Sequence, residues 1–120
     1  MKSKDHDSIM AITSHIPHLI AYNIVGTASE LEDDIKSEVI KFSASGFRDF
    51  TRIASSDPVM WRDIMLSNKE EIILLFEKFN NDLKQILDAI KKDDGDFLVK
   101  KFKKTREIRE KIIEAGLDKN

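Results

Sequence analysis

The chain contains no cysteine, so neither a disulfide nor a thiolate-bound metal can stabilise it, as is typical of proteins in a reducing compartment. Only two prolines and four glycines occur in its 120 residues, which leaves few turn signals. No run alternates apolar and polar residues for long enough to predict a strand. These absences favour an all-α fold, and residues 1–120 are enough for a single helical domain with its own core.

The chain also lacks an excess of charge of one sign and a long apolar run. Its formal net charge is −2, so it has no cationic field of the kind that nucleic-acid-binding proteins use. Its apolar runs are too short to span a bilayer, and the N-terminus turns polar at once, without the apolar core of a signal peptide. We therefore expect a cytoplasmic protein with neither a nucleic-acid nor a membrane partner.

Apolar residues at helical spacing predict a helical bundle. The first helix runs to about Ala28 and is kinked near residues 13–17, because Pro17 has no amide donor for the preceding turn. A short helix is expected from about residue 35 to residue 44, and another follows Gly46.

The second half of the chain has the clearest helical pattern. Asp57-Pro58 predicts the start of a helix over about residues 58–67, and Asn68 is the predicted cap of the next helix. The apolar seam of that next helix is Ile72, Phe76, Phe79, Leu83, Ile86 and Ile90. An acidic turn at residues 93–96 leads to a last helix, which Gly116 is expected to stop. The inner stripe of the last helix is Leu98, Phe102, Thr105, Ile108 and Ile112. These two helices predict an antiparallel hairpin.

Residues 46–63, which we call the arginine segment, concentrate three arginines, three aspartates, the only tryptophan and one of the two prolines. On a helix Arg48 and Arg52 lie one turn apart, and guanidinium groups bind carboxylates in a two-pronged geometry. Trp61 could supply an aromatic wall. The alternative is that these arginines form surface ion pairs with neighbours such as Asp49, and the spacing alone leaves both interpretations open.

All three histidines lie within thirteen residues, at His6, His15 and His18. His15 and His18 are three residues apart and point to similar sides of a helix, whereas His6 lies opposite His15. This spacing does not favour a metal site formed by the histidines and Asp7. A neutral imidazole that forms one hydrogen bond to a ligand fits better. The alternative is a buried imidazole bonded to the backbone.

Other kinds of site have no support in the sequence. The four glycines are isolated, so no glycine-rich phosphate loop and no dinucleotide site can be identified. No pair of residues resembles a nucleophile with its base. The basic run at residues 100–104 predicts a solvated helix face, because its one aromatic residue points inward.

Five blocks of sequence, in this order, resemble the C-terminal helical domain of prephenate (or arogenate) dehydrogenases. The blocks are Asp5-His6-Asp7, Ser14-His15-Ile16-Pro17-His18, Gly46-Phe47-Arg48-Asp49-Phe50-Thr51-Arg52-Ile53-Ala54, Ser56-Asp57-Pro58 and Trp61-Arg62-Asp63. The resemblance covers residues 1 to about 115.

The resemblance implies an enzyme of tyrosine biosynthesis. An N-terminal Rossmann domain binds NAD or NADP, the helical domain dimerises, and oxidative decarboxylation of prephenate in the cleft between the domains gives 4-hydroxyphenylpyruvate. The Rossmann domain is absent from this sequence, which looks like a fragment or a separately encoded domain that acts with such a domain in cis or in trans. We expect no catalytic residue in this chain and no oxidation of prephenate by it alone, because nothing in it can bind the hydride acceptor.

The resemblance also implies roles for individual residues. Arg52 matches an arginine that binds a substrate carboxylate. His18 matches a histidine that lines the substrate pocket and contacts tyrosine when tyrosine inhibits. The remaining matches are His6 and Asp49, which shape the same pocket, and Arg48 and Trp61, which reach towards the neighbouring subunit.

Two other functions remain open at this point. The first is a helical interaction module whose arginine segment holds only surface ion pairs. The second is a small all-helical mutase that acts on a related dianion, although it leaves the blocks unexplained. A homodimer is expected because the first half of the chain has more apolar surface than a short hairpin can cover. The residues of this surface are Tyr22, Phe42, Phe47, Phe50 and Trp61.

Overall fold

The computed structural model describes residues 3–31, 38 and 46–118, and every regular element in these ranges is helical. The helices are α1 (Ser3–Met10), α2 (Ile16–Ser29), α3 (Gly46–Thr51), α4 (Pro58–Ser67), α5 (Lys69–Lys91) and α6 (Gly95–Asp118). The predicted all-α class is confirmed. Apart from Glu38, the helix expected over residues 35–44 lies outside the described residues. None of the described helices combines the length and hydrophobicity needed to cross a lipid bilayer.

The predicted break in the first helix is confirmed, and it takes the form of a π-helical turn. Residues Ala11–His15 join α1 to α2, and the backbone N–H of Ile16 donates to the carbonyl of Ala11, five residues earlier. Pro17, in the first turn of α2, has no N–H to donate the regular α-helical hydrogen bond to the preceding turn. A π turn at this point changes the direction in which the following side chains project.

The arginine segment is less regular than its spacing predicts. The α-helical conformation ends at Thr51, and residues Arg52–Ser55 form a 3-10 turn. Arg52 therefore does not share an α-helix with Arg48. The reason lies in the next residues: proline disfavours a helical conformation in the residue before it, and Asp57, before Pro58, is extended.

Helix α4 begins as the sequence predicts. The side chain of Asp57 accepts a hydrogen bond from the backbone N–H of Val59 at 3.0 Å, and Pro58 occupies the first helical position. The predicted span of 58–67 is confirmed.

The chain forms two compact units, Met1–Glu77 and Lys78–Asn120. In the first unit, Ala11, Ile16 and Ile72 are buried together. Partly buried Ile20, Met65, Leu75 and Phe76 surround them. Helix α2 packs against α3 and the 3-10 turn. The hydroxyl of Tyr22 donates to the carbonyl of Ser56 at 2.7 Å, which ties α2 to the end of the 3-10 turn.

The acidic turn between α5 and α6 caps both helices. Asp93 has a left-handed conformation with φ of 55°. Its backbone N–H donates to Ile90, and that of Asp94 donates to Ala89, the bonding pattern of a Schellman motif. The side chain of Asp94 then accepts from the N–H of Phe97 at 3.1 Å. The predicted end of one helix and cap of the next are confirmed.

The inner stripes predicted for the last two helices are partly wrong. On α5, Leu83 and Ile90 are 41% and 54% exposed. On α6, every described side chain from Phe102 to Gly116 is exposed. Gly116 also does not stop α6, which continues to Asp118, because a helix interior tolerates one glycine at a cost of about 1 kcal/mol. The apolar periodicity identifies a face suited to burial, but these side chains are exposed in the part of the chain that the structure describes.

Candidate functional site

Two imidazoles and an indole form a cluster in the first unit. The rings of His18 and Trp61 stack, with their centroids 3.6 Å apart and their planes 17° from parallel. His15 meets the indole edge-on at 6.2 Å and 76°. Trp61 and His15 are only 9% and 8% exposed. We call these three residues the imidazole–indole cluster. Helix α4 supplies its indole, while the π turn and α2 supply its imidazoles.

A side-chain amide holds His15 in one protonation state. Nδ2 of Asn68 donates both to the backbone carbonyl of Asp7 at 2.9 Å and to Nδ1 of His15 at 3.1 Å. Because Nδ1 accepts, His15 is neutral and carries its proton on Nε2. Burial lowers the pKa of His15, the nearby His18 lowers it further, and Asp7 opposes both effects.

These contacts give Asn68 a role that differs from the predicted one. The sequence predicts that Asn68 caps α5, whereas its side-chain amide joins α1 to the π turn. A nearby bond ties α1 to α5, since the hydroxyl of Ser8 donates to Oε2 of Glu71 at 2.8 Å. We call the two hydrogen bonds donated by Asn68 the Asn68 bridge.

His18 is oriented by the π turn that precedes its helix. Nδ1 of His18 lies 2.8 Å from the carbonyl oxygen of Ser14. A carbonyl oxygen only accepts, so Nδ1 carries the proton and donates. In the neutral ring Nε2 is then left as an acceptor for a ligand hydroxyl or ammonium group, and when protonated it donates to a carboxylate. Of the two predicted alternatives, a backbone-bonded imidazole describes His18, and that bond leaves the other nitrogen for a ligand.

An apolar pocket of about 280 Å³ lies beside the indole. Its lining residues are Leu19, Tyr22, Pro58, Trp61, Arg62 and Met65. The pocket therefore combines aromatic and aliphatic walls with one guanidinium. Such a mixture suits a small ring that carries a negative charge.

The other predicted site residues lie on the surface. Arg48, Asp49 and Arg52 are exposed, and none of them forms an ion pair with any residue that the structure describes. The arginine segment does contain one ion pair, between Nε of Arg62 and Oδ1 of Asp63 at 2.9 Å. Among the described residues, the surface-ion-pair interpretation therefore describes Arg62 and Asp63.

Of the six predicted site residues, the structure brings two together, His18 and Trp61. His6 is exposed on α1, and its Nδ1 lies 3.8 Å from Oδ1 of Asp7. Within the described ranges, no three His, Cys, Asp or Glu side chains are grouped so that they could hold a metal ion. Trp61 stacks on His18 within its own protomer and is largely buried there.

Sequence reasoning missed Asn68 and gave no specific role to His15. Asn68 lies 61 residues from Asp7 and 53 from His15 along the chain. No local spacing could indicate such a contact. The one available signal was the proximity of His15 to His18, which placed both imidazoles on one side of the helix.

The fold and these contacts define an all-helical domain in which a stacked imidazole and indole lie in the same unit as a segment rich in arginine. The chain belongs to the family of prephenate dehydrogenase dimerization domains. Residues 2–104 match this family.

Relatives agree with this assignment over nearly the whole chain. It is 40% identical to the cyclohexadienyl dehydrogenase of Zymomonas mobilis over 109 residues, which are 91% of this chain and 37% of that protein. It is 36% identical to the prephenate dehydrogenase of Bacillus subtilis over 92% of this chain and 29% of that protein. The chain thus spans well under half the length of these curated relatives.

A solved structure has the same fold. The prephenate dehydrogenase of A. aeolicus, in complex with hydroxyphenyl propionate and NAD+, superposes with a TM-score of 0.84 and 35% identity. The match covers 93% of this chain and 39% of that one. Residues outside the matched region make up most of each relative.

Proposed function

We propose that this chain is the substrate-binding and dimerisation domain of an NAD(P)-dependent prephenate (or arogenate) dehydrogenase. The observation that carries the proposal is the family match over residues 2–104, which includes both the imidazole–indole cluster and the arginine segment. Its membership of a dimerization-domain family supports a homodimer. A cytoplasmic location follows from the same proposal, since tyrosine biosynthesis takes place there.

The proposed reaction is an oxidative decarboxylation. NAD or NADP, bound by a domain outside this sequence, accepts a hydride from the ring carbon that bears the hydroxyl. That hydroxyl loses its proton as it becomes a carbonyl, and the ring carboxylate leaves as carbon dioxide. The electron pair of the broken carbon–carbon bond enters the ring, which becomes aromatic, and the carbonyl oxygen takes up a proton to give the hydroxyl of 4-hydroxyphenylpyruvate. This chain alone supplies no hydride acceptor, so we expect it to be inactive by itself.

The substrate determines what this chain must provide. Prephenate is a dianion with a ring hydroxyl, so a guanidinium and a neutral hydrogen-bonding group suit its binding. Arg52 and Arg48 are exposed and have no ion pair among the described residues, which leaves their donors for a ligand. His18 is fixed by Ser14 and Trp61 with Nε2 as its remaining polar atom. In this proposal His6 and Asp49 shape the same pocket.

The assignment of Arg52 can be tested in a dehydrogenase that contains this domain. Arg52→Ala should raise the KM for prephenate roughly 10- to 100-fold, because a hydrogen bond to a charged group contributes roughly 1.5–3 kcal/mol. The KM for the nucleotide should stay nearly unchanged. Steady-state kinetics with each substrate varied in turn measures both constants.

Two further variants make this measurement specific. Arg52→Lys keeps the charge but loses the two-pronged geometry, so its KM should fall between those of the wild type and Arg52→Ala. Arg109→Ala removes an exposed arginine of α6 and should leave KM near the wild-type value. An unchanged KM in Arg52→Ala would favour the alternative, a helical dimerisation or interaction module without a substrate site. The exposed apolar face of α6 is the observation that supports that alternative.

A further inference from the structure

The two hydrogen bonds of the Asn68 bridge use both protons of one amide nitrogen. One proton goes to the carbonyl of Asp7 and the other to Nδ1 of His15. Asn68 can make this pair of contacts only if Nδ1 of His15 is unprotonated. In the described residues no buried side-chain nitrogen or oxygen lacks a partner, so the bridge satisfies the buried imidazole.

The indole connects the bridge to the His18 imidazole. His15 lies edge-on to Trp61, and Trp61 stacks on His18. His18 is thereby held on its face by the indole and at Nδ1 by Ser14. A ring fixed in two ways can present Nε2 in only a narrow range of directions, which lowers the entropy cost of binding a ligand.

The other charged side chains described near the imidazole–indole cluster have contacts of their own and do not replace Asn68. Asp7 contributes its backbone carbonyl to the bridge, and its carboxylate lies near His6. The carboxylate of Glu71 accepts from Ser8. Arg62, which also lines the pocket beside the indole, is paired with Asp63. The amide of Asn68 is thus the donor to Nδ1 of His15, a bond that only the unprotonated nitrogen can accept.

We propose that Asn68 and His15 are positioning residues, which act through Trp61 to fix the orientation of the His18 imidazole for the substrate. The inference rests on the proposed function, since it assumes that His18 contacts prephenate or arogenate. It adds to that function two residues that need not touch the substrate.

The first test uses NMR of this chain. Stacking at 3.6 Å places the His18 ring protons in the shielding region of the indole, so they should resonate upfield of ordinary imidazole protons. The ¹⁵N shifts should show the proton on Nε2 in His15 and on Nδ1 in His18. Asn68→Asp keeps the size of the side chain but removes both donors, so His15 should titrate at higher pH and the upfield shift of His18 should decrease.

The matched control is Asn80→Asp, the same change at an exposed position of α5. It should leave the titration of His15 and the shift of His18 as in the wild type. A purely structural role of Asn68 would lower the unfolding temperature without a selective effect on these two rings. If the His18 shift and the His15 titration are the same in Asn68→Asp and the wild type, the positioning role is wrong and the proposed function still stands.

The second test is kinetic and uses a dehydrogenase that contains this domain. Asn68→Asp and His15→Leu should raise the KM for prephenate by roughly three- to tenfold, the effect of losing one hydrogen bond, without changing the KM for the nucleotide. His15→Asn keeps an acceptor near the position of Nδ1 and should restore most of the affinity. A normal prephenate KM in His18→Ala would instead overturn the proposed contact of His18, and the positioning role with it.

Discussion

At the scale of single residues, the protonation of His15 couples stability to pH. Burial and the neighbouring His18 lower the pKa of His15, and its Nδ1 already accepts a hydrogen bond from Asn68. Protonation would break that bond and place a charge against a buried ring. The folded chain therefore binds a proton at this site less readily than the unfolded chain does.

The sign of the effect follows from this difference. The unfolded imidazole titrates near its ordinary value of 6.5, and the folded one titrates below it. His15 therefore contributes its full share of stability above pH 6.5, and that share is lost as the pH falls through 6.5 towards the folded pKa. We expect the unfolding temperature to be lower at pH 5.5 than at pH 7.5.

A matched pair of variants isolates His15. His15→Asn has no titratable ring, so the loss of stability between pH 7.5 and pH 5.5 should be smaller than in the wild type. His6→Asn removes an exposed imidazole of α1 and should keep the wild-type loss. Thermal unfolding followed by circular dichroism at both pH values measures the difference. Equal losses in the wild type and His15→Asn would show that other groups cause the pH dependence.

At the scale of helices, the turn between α5 and α6 carries a conformational cost. Asp93 occupies the left-handed position of a Schellman motif, where glycine is usual because it has no Cβ. Asp93→Gly should therefore raise the free energy of unfolding, by roughly 0.5 kcal/mol. Chemical denaturation of the two proteins side by side measures the gain.

The adjacent residue provides the opposite test. Asp94→Ala removes the acceptor for the N–H of Phe97 and should lower the free energy of unfolding by about 1 kcal/mol. If Asp93→Gly also lowers stability, the side chain of Asp93 contributes more than its backbone strain costs.

Local sequence was sufficient for most of the helices. Asp57-Pro58 contains both a cap acceptor and a ring that fits the first helical position, so the start of α4 depends on adjacent atoms only. Pro17 likewise determines that the first helix cannot be regular. The 3-10 turn at Arg52 was missed. The residues before Pro58 are extended, so the α-helix cannot continue to them, and apolar periodicity does not indicate this.

At the scale of the whole molecule, α6 exposes an apolar face. Its large apolar side chains are Val99, Phe102, Ile108, Ile112 and Ile113, which are 44–67% exposed. Apolar surface of this extent in a dimerization-domain family is consistent with a second copy of the chain. By contrast, Trp61 was expected to contribute to the apolar surface of the first half of the chain, but it is buried and stacks on His18.

A charge on this face should weaken the proposed homodimer. Phe102→Asp places a carboxylate at the 54% exposed Phe102, so the dimer should dissociate at concentrations where the wild type remains associated. Lys104→Asp is the control, because its side chain lies on the opposite, lysine-rich face of α6. Multi-angle light scattering over a range of concentrations measures the mass. A wild-type protein that is monomeric at high concentration would contradict the proposal.

The sequence by itself determined the helical class, the caps at Asp57 and Asp94, the irregularity near Pro17 and the family resemblance, because each depends on residues close together in the chain. Only the tertiary structure decided that Asn68 donates to Nδ1 of His15, that Trp61 stacks on His18 and that the apolar side chains of α6 are exposed among the described residues. Helical periodicity specifies which side chains share a face but not what covers that face. Contacts over 53 residues arise only when the helices pack.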